Sequence, residues 1–210
     1  MTLRETLTQM GISYDDDMIS RSAEYAAYLL DENQKMNLTA IVDEQAVAVK
    51  HFADSLALLK YCALSRGASL VDIGSGAGFP GIPLKLVNPQ INLTLCEPRP
   101  NRIDFLNMVI AKMGLKNIDV FGHKVTSRSM TIPIDGVISR AFEWMEKTLP
   151  RIANSLKVGG RVYFMKGPGV ADELAVFHPE DFGYKFVGKH FYTIPNSTQE
   201  RALIILERVE

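Results

Sequence analysis

The chain has 210 residues, 47% hydrophobic and 22% charged, which suits one globular domain plus an appendage. A net charge of −1 does not indicate a broad electrostatic grip on nucleic acid, though a local basic patch can still meet phosphates; no apolar run is long enough for a membrane span, and no apolar h-region of a signal peptide follows Met1. Two cysteines, Cys62 and Cys96, lack metal-ligand spacing, so neither a disulfide nor a metal framework is expected, and a reducing cytoplasm is the expected location.

Residues 1 to about 60 read as a helical and acidic extension, with five Lys and Arg against ten Asp and Glu; residues 61–210 carry eighteen against fourteen. Asp15, Asp16 and Asp17 supply cap and first-turn acids for a helix reaching about Lys35, and Tyr25, Tyr28, Leu29 and Met36 recur at helical spacing. A second helical segment runs from about Asp43 to Lys60, marked by Val47, Phe52, Leu56 and Leu59. From residue 69 the pattern changes. Strands are predicted over 69–73, 91–97, 117–121, 134–139, 160–166, 184–192 and 201–207, with helices over 81–87, 101–113, 144–156 and 170–177. Strands alternating with helices predict a doubly wound, mostly parallel seven-stranded α/β sheet, covered on both faces. The short polar link 195–199 predicts an antiparallel pair at one end of that sheet.

The run Val71-Asp72-Ile73-Gly74-Ser75-Gly76-Ala77-Gly78-Phe79-Pro80-Gly81 reads as a buried strand, a glycine turn and a helix start. Glycine accepts positive φ and lets backbone approach a ligand. A dinucleotide fingerprint would need glycine where Phe79 stands, and it would not place an acid at Asp72, which repels pyrophosphate. An acid there suits a cationic ligand such as S-adenosylmethionine, with its sulfonium and amino group. The D-x-G-x-G-x-G order resembles the first motif of the class I methyltransferases. Gly74, Gly76 and Gly78 are then expected to cradle the donor. Glu97, twenty-three positions past Gly74 at the end of the second strand, is expected to accept from the ribose hydroxyls. After the third strand, the backbone amides of Val125 and Thr126 are expected to meet the adenine, and His123 reads as a surface histidine.

The methyl acceptor is read partly by exclusion. Ser139-Arg140-Ala141-Phe142 after the fourth strand is not the polar-Pro-Pro-aromatic motif of amine methylation, and neither cysteine stands where pyrimidine C5 methylation needs a nucleophile. An acceptor with a free in-plane lone pair fits, and guanine N7 has one. Arg140 offers a planar fork to guanine O6 or a phosphate; Phe142 either stacks on the base or packs in the core. Other acceptors, a small molecule or a protein, stay open, as does a donor-binding regulator without turnover.

Four separated stretches resemble the RsmG (glucose-inhibited division protein B) family, bacterial guanine-N7 methyltransferases of small-subunit ribosomal RNA. They are Met36-Asn37-Leu38-Thr39-Ala40 with His51-Phe52-Ala53-Asp54-Ser55-Leu56; Asp72 to Leu84; Asp135-Gly136-Val137-Ile138-Ser139-Arg140-Ala141-Phe142; and Met165-Lys166-Gly167 with Glu200-Arg201. The resemblance implies a class I methyltransferase domain over 61–210 behind the extension 1–60. It implies donor contacts at Gly74, Phe79, Val125, Thr126 and Arg140, with Arg140 catalytic. It also implies 16S ribosomal RNA as the partner, naked or in the assembled subunit, met by Lys124, Arg140, Lys166 and Arg201. A cytoplasmic monomer is expected. Where the family commonly has acids, this chain has Thr126-Ser127, so only backbone contacts carry over there. Asn37 and the His51–Ser55 stretch are read either as caps that dock the extension or as a lid over the donor pocket.

Overall fold

The computed structural model describes residues 1–129 and 133–210. Its sheet is built from β1 (Ser69–Ile73), β2 (Asn92–Cys96), β3 (Ile118–Phe121), β4 (Ile134–Arg140), β5 (Leu156–Lys166), β6 (Tyr184–Thr193) and β7 (Glu200–Arg208). Strand order is β3-β2-β1-β4-β5-β7-β6. The first five strands run parallel, while β7 pairs antiparallel with both β5 and β6. The predicted antiparallel end is therefore present, with the last strand of the chain inserted between its two neighbours.

Alternation along β5 shows how the strands serve two cores. Val162 and Phe164 point to one face, Tyr163 and Met165 to the other. On the first face lie Met145, Leu149 and Ile152 of α7 (Met145–Ile152), with Val170 of α8 (Val170–Val176). On the second lie α5 (Gly81–Val87), α6 (Pro100–Lys112) and the N-terminal extension, whose Leu7, Tyr25, Leu29, Phe52 and Leu56 share a core with Leu70, Leu95 and Ile138 of the sheet. The extension is thus bonded to the sheet by a common apolar interior.

The extension contains α1 (Leu3–Met10), started by a reciprocal Thr2–Glu5 capping box and closed at Gly11 in the left-handed region. In α2 (Asp16–Met36), Asp15 caps the start by accepting from the Met18 amide at 2.8 Å. The second predicted segment is not one α-helix. It divides into α3 (Glu44–Val47), a π-helical turn over Ala48–Ala53, α4 (Asp54–Leu56) and a 3₁₀ turn over Ala57–Lys60. A π turn is wider than an α turn and is common at functional sites. Here it presents the carbonyls of Lys50 and His51 to a side chain from β4. The predicted helix 144–156 is also shorter: α7 stops at Ile152, and Leu156 already pairs with Ile134 as the start of β5. Cys62 and Cys96 are free thiols, and burial raises them to about 11 and about 12. Among the described residues no helix is long and apolar enough to cross a membrane.

Candidate active site

The chain steps from β1 to β2 and β3 on one side, then crosses to β4 on the other. The switch point where a doubly wound sheet binds ligands therefore lies at the carboxyl end of β1. The glycine turn stands there. The amides of Gly74 and Ser75 donate to the carbonyl of Cys96 at 2.9 and 3.1 Å, fastening the turn to the end of β2. Gly74 has φ +75°, and a Cβ on it would lie 2.5 Å from the Phe142 ring. At Gly78, φ is +86° and a Cβ would collide with Ile82 and with the Tyr25 hydroxyl. That hydroxyl, on α2 of the extension, donates to the Ala77 carbonyl in a short hydrogen bond.

Asp72 and Glu97, the two acids read as suited to the donor, are both enclosed by the structure. One Asp72 oxygen accepts from the Gly81 amide at 2.9 Å; the other is buried without a hydrogen-bond partner. Burial, opposed by the Gly81 amide and by Arg140, raises this carboxyl to about 7. Glu97 accepts from the amides of Gly76 (3.1 Å) and Arg99 (2.9 Å), and Arg102 pairs with it at 3.4 Å. It holds the turn closed onto the start of α6. Phe79 is also interior: its ring stacks on His51 at 4.5 Å and on Tyr25 at 5.4 Å, and meets Phe52 edge-on.

Beside the turn, a cavity of about 230 Å³ is lined by Lys50, His51, Asp54, Arg140, Lys166 and Arg201 among others. The Arg140 guanidinium closes one wall. It donates to Asp54 Oδ2 at 3.1 Å, to the carbonyls of Lys50 and His51 at 3.4 and 3.5 Å, and to His51 Nδ1 at 3.3 Å, and it lies 5.6 Å over the Phe79 ring. Arginine only donates, so His51 Nδ1 must accept, and the ring proton sits on Nε2, bonded to the Thr39 hydroxyl at 2.9 Å. Burial, then the Arg140 charge, lowers His51 to about 3, so the ring is neutral at ordinary pH. Asp54 is itself shared. Its Oδ1 accepts from the Tyr192 hydroxyl at 3.2 Å and faces Arg201 Nε at 3.9 Å. That nitrogen is buried without a hydrogen bond.

Of the four cations read as RNA contacts, Arg140, Lys166 and Arg201 meet at this one cavity. Lys124 is exposed on the loop after β3 and is not part of the lining. Lys166 is engaged internally, with Glu173 at 2.9 Å and the Glu143 carbonyl at 2.7 Å. Val125 is buried, its carbonyl accepting from Arg151 at 3.3 Å, and the exposed Thr126 donates its amide to Ser129 Oγ at 2.8 Å. Phe142 is 40% exposed and lies on Gly74.

Asn37 ends α2 as a left-handed cap at φ +51°. The side chain that shapes this bend is Asn33, which accepts from the amides of Leu38 and Thr39 and donates to the Thr39 carbonyl. Sequence reasoning missed Asn33, along with Tyr25 and Tyr192. Only the Asn33 bonds are local enough to leave a trace in spacing, a buried amide one turn before the helix end.

The family model for rRNA small subunit methyltransferase G matches residues 18–203. Ribosomal RNA small subunit methyltransferase G 2 of Bdellovibrio bacteriovorus is 38% identical, over 92% of this chain and 77% of the relative. Ribosomal RNA small subunit methyltransferase G of Carboxydothermus hydrogenoformans is 34% identical, over 99% and 91%. Among solved structures, the fold is similar to that of M. jannaschii TYW2 in complex with AdoMet (TM-score 0.54, 19% identity, 69% of this chain and 71% of that one). It is also similar to that of precorrin-6y C5,15-methyltransferase from Geobacter metallireducens GS-15 (TM-score 0.57, 18% identity, 81% and 92%). The sheet order, the glycine turn at its switch point and the match across most of the length lead to one conclusion: the chain belongs to the rRNA small subunit methyltransferase G family, S-adenosylmethionine-dependent enzymes with a class I methyltransferase fold.

Proposed function

We propose that this chain methylates N7 of a guanine in small-subunit, 16S, ribosomal RNA. S-adenosylmethionine supplies an electrophilic methyl group on a sulfonium. The residues present fit that donor: the glycine turn stands at the switch point with positive φ at Gly74, Gly76 and Gly78, and the Phe142 ring is seated on Gly74 so closely that a Cβ there would collide with it. Glu97 Oε1 keeps a lone pair for a ribose hydroxyl beside the Arg99 amide. The backbone of Val125 and Thr126 borders the adenine side. Arg140 stands between the donor turn and the acceptor cavity, the place of a catalytic residue.

The choice of N7 rests on one observation. Each group near the cavity able to take a proton is already engaged: His51 Nδ1 by Arg140, Asp54 by Arg140 and Tyr192, and Asp72 inside the fold. Guanine N7 has no proton to lose. Bound S-adenosylmethionine would supply the methyl group to that lone pair and keep the carbon–sulfur bonding pair on its sulfur, leaving the positive charge on the purine. The protein has only to align the three atoms and exclude water. Lys124 and Arg201, with Arg140, would face the phosphates. We place the enzyme in the cytoplasm, as a monomer.

The test uses the purified chain, methyl-labelled S-adenosylmethionine and either deproteinised small-subunit RNA or intact small subunits, followed by digestion to nucleosides and mass analysis. Label in 7-methylguanosine is expected. Label in any other nucleoside, or label that enters only a protein or metabolite pool, overturns the acceptor assignment.

A further inference from the structure

The turn between β4 and α7, residues 141–145, is tied at many points. The Ala141 amide donates to the Met165 carbonyl at 3.2 Å, and Ala141 holds φ +49°, a left-handed conformation that a non-glycine residue adopts only under constraint. Lys166 Nζ donates to the Glu143 carbonyl at 2.7 Å. The buried carboxylate of Glu173, from α8, accepts from the Met145 amide in a short hydrogen bond and pairs with the same lysine. The Glu143 side chain is in turn held by Arg151 Nε of α7 at 2.7 Å. The outcome is the position of one ring: Phe142, projecting from this turn onto Gly74.

We propose that Lys166 and Glu173 are positioning residues for the donor site: their ion pair locks the 141–145 turn so that Phe142 forms one wall of the cradle at Gly74. This deepens the methyltransferase reading above and rests on it. It differs from a role for Lys166 in gripping RNA. An ammonium with a side chain 12% exposed, facing a carboxylate 9% exposed, is neutralised within the fold. A phosphate reaching it would meet the Glu173 charge as well. The same pair bonds to two backbone groups of a single turn, as a clamp does.

Trp144 is the only tryptophan in the chain and lies in this turn, 48% exposed, so its fluorescence reports the turn directly. The experiment compares the full chain with its E173Q, K166M and F142A variants. It measures S-adenosylmethionine affinity by calorimetry, iodide quenching of Trp144, and affinity for a small-subunit RNA fragment. The clamp predicts that E173Q and K166M each weaken donor binding by about tenfold and raise quenching, with RNA affinity unchanged. F142A, a change at a half-exposed ring, weakens donor binding to the same degree without needing the ion pair. Two results overturn the proposal. One is unchanged donor affinity in F142A, which counts even where the ion-pair variants fail to fold. The other is tighter RNA binding by E173Q with weaker binding by K166M, the signature of a lysine held in reserve for phosphate. Donor titration needs no RNA, so a wrong choice of methyl acceptor would leave this result readable.

Discussion

The two halves of the site are built from different materials. The half proposed to hold the donor is backbone: a glycine turn whose amides bond to the end of β2, with Glu97 holding the amides of Gly76 and Arg99. The half proposed to hold the acceptor is side chain. Arg140, His51, Asp54, Tyr192 and Arg201 come from β4, the extension and the last two strands, and one carboxylate joins three of them. A backbone site is fixed by φ and ψ and tolerates few side chains. A side-chain site is fixed by charge pairing and fails when a partner is removed.

The largest effect on donor binding is expected where the backbone half is most constrained. In G74A the new methyl would meet the Phe142 ring while the backbone stays at φ +75°. The combined strain should weaken S-adenosylmethionine binding by about a hundredfold, read by calorimetry, with little change in the acceptor half. The side-chain half should give way differently. D54A leaves Arg140 with an uncompensated buried charge, and breaking such a pair costs about 3–5 kcal/mol in denaturant unfolding. Donor affinity should fall far less in D54A than in G74A. Equal losses in both assays would mean that the halves are one unit.

The smallest effect sharpens the contrast through pH. Asp72 is raised to about 7 from 3.8, so the folded state holds a proton that the unfolded chain releases, and this contribution to stability is lost as pH rises from about 4 to about 7. His51, lowered to about 3 from 6.5, acts in the opposite sense: the unfolded chain binds the extra proton, and stability rises over that range. The two slopes oppose each other in the wild-type chain. D72N removes only the first, so its stability relative to wild type should grow with pH between about 4 and about 7 and then level off. Thermal unfolding at half-unit pH steps checks this, and a constant difference rejects a protonated Asp72.

This contrast also explains what could be read in advance. Strand alternation and the D-x-G-x-G-x-G run are local, and they located the sheet, its antiparallel end and the glycine turn at its switch point. Asp72 and Glu97 were found at the turn, but not their burial, because whether an acid faces solvent or an amide depends on packing from elsewhere. Asp54 lies 86 residues from Arg140 and 138 from Tyr192, and no spacing rule spans such intervals. The π turn escaped for the same reason: its carbonyls are claimed by an arginine from a distant strand, which overrides local helical preference.

The position of β7 has a consequence for biosynthesis. β7 follows β1 to β6 in sequence yet is the interior neighbour of β5 and β6, and it brings Arg201 up to the Asp54 carboxylate. A chain emerging from the ribosome can therefore fold its glycine turn early, yet the cavity wall that Arg201 lines stays unfinished until β7 has emerged. Shortening the chain by its final ten residues would leave two open strand edges, a surface prone to self-association.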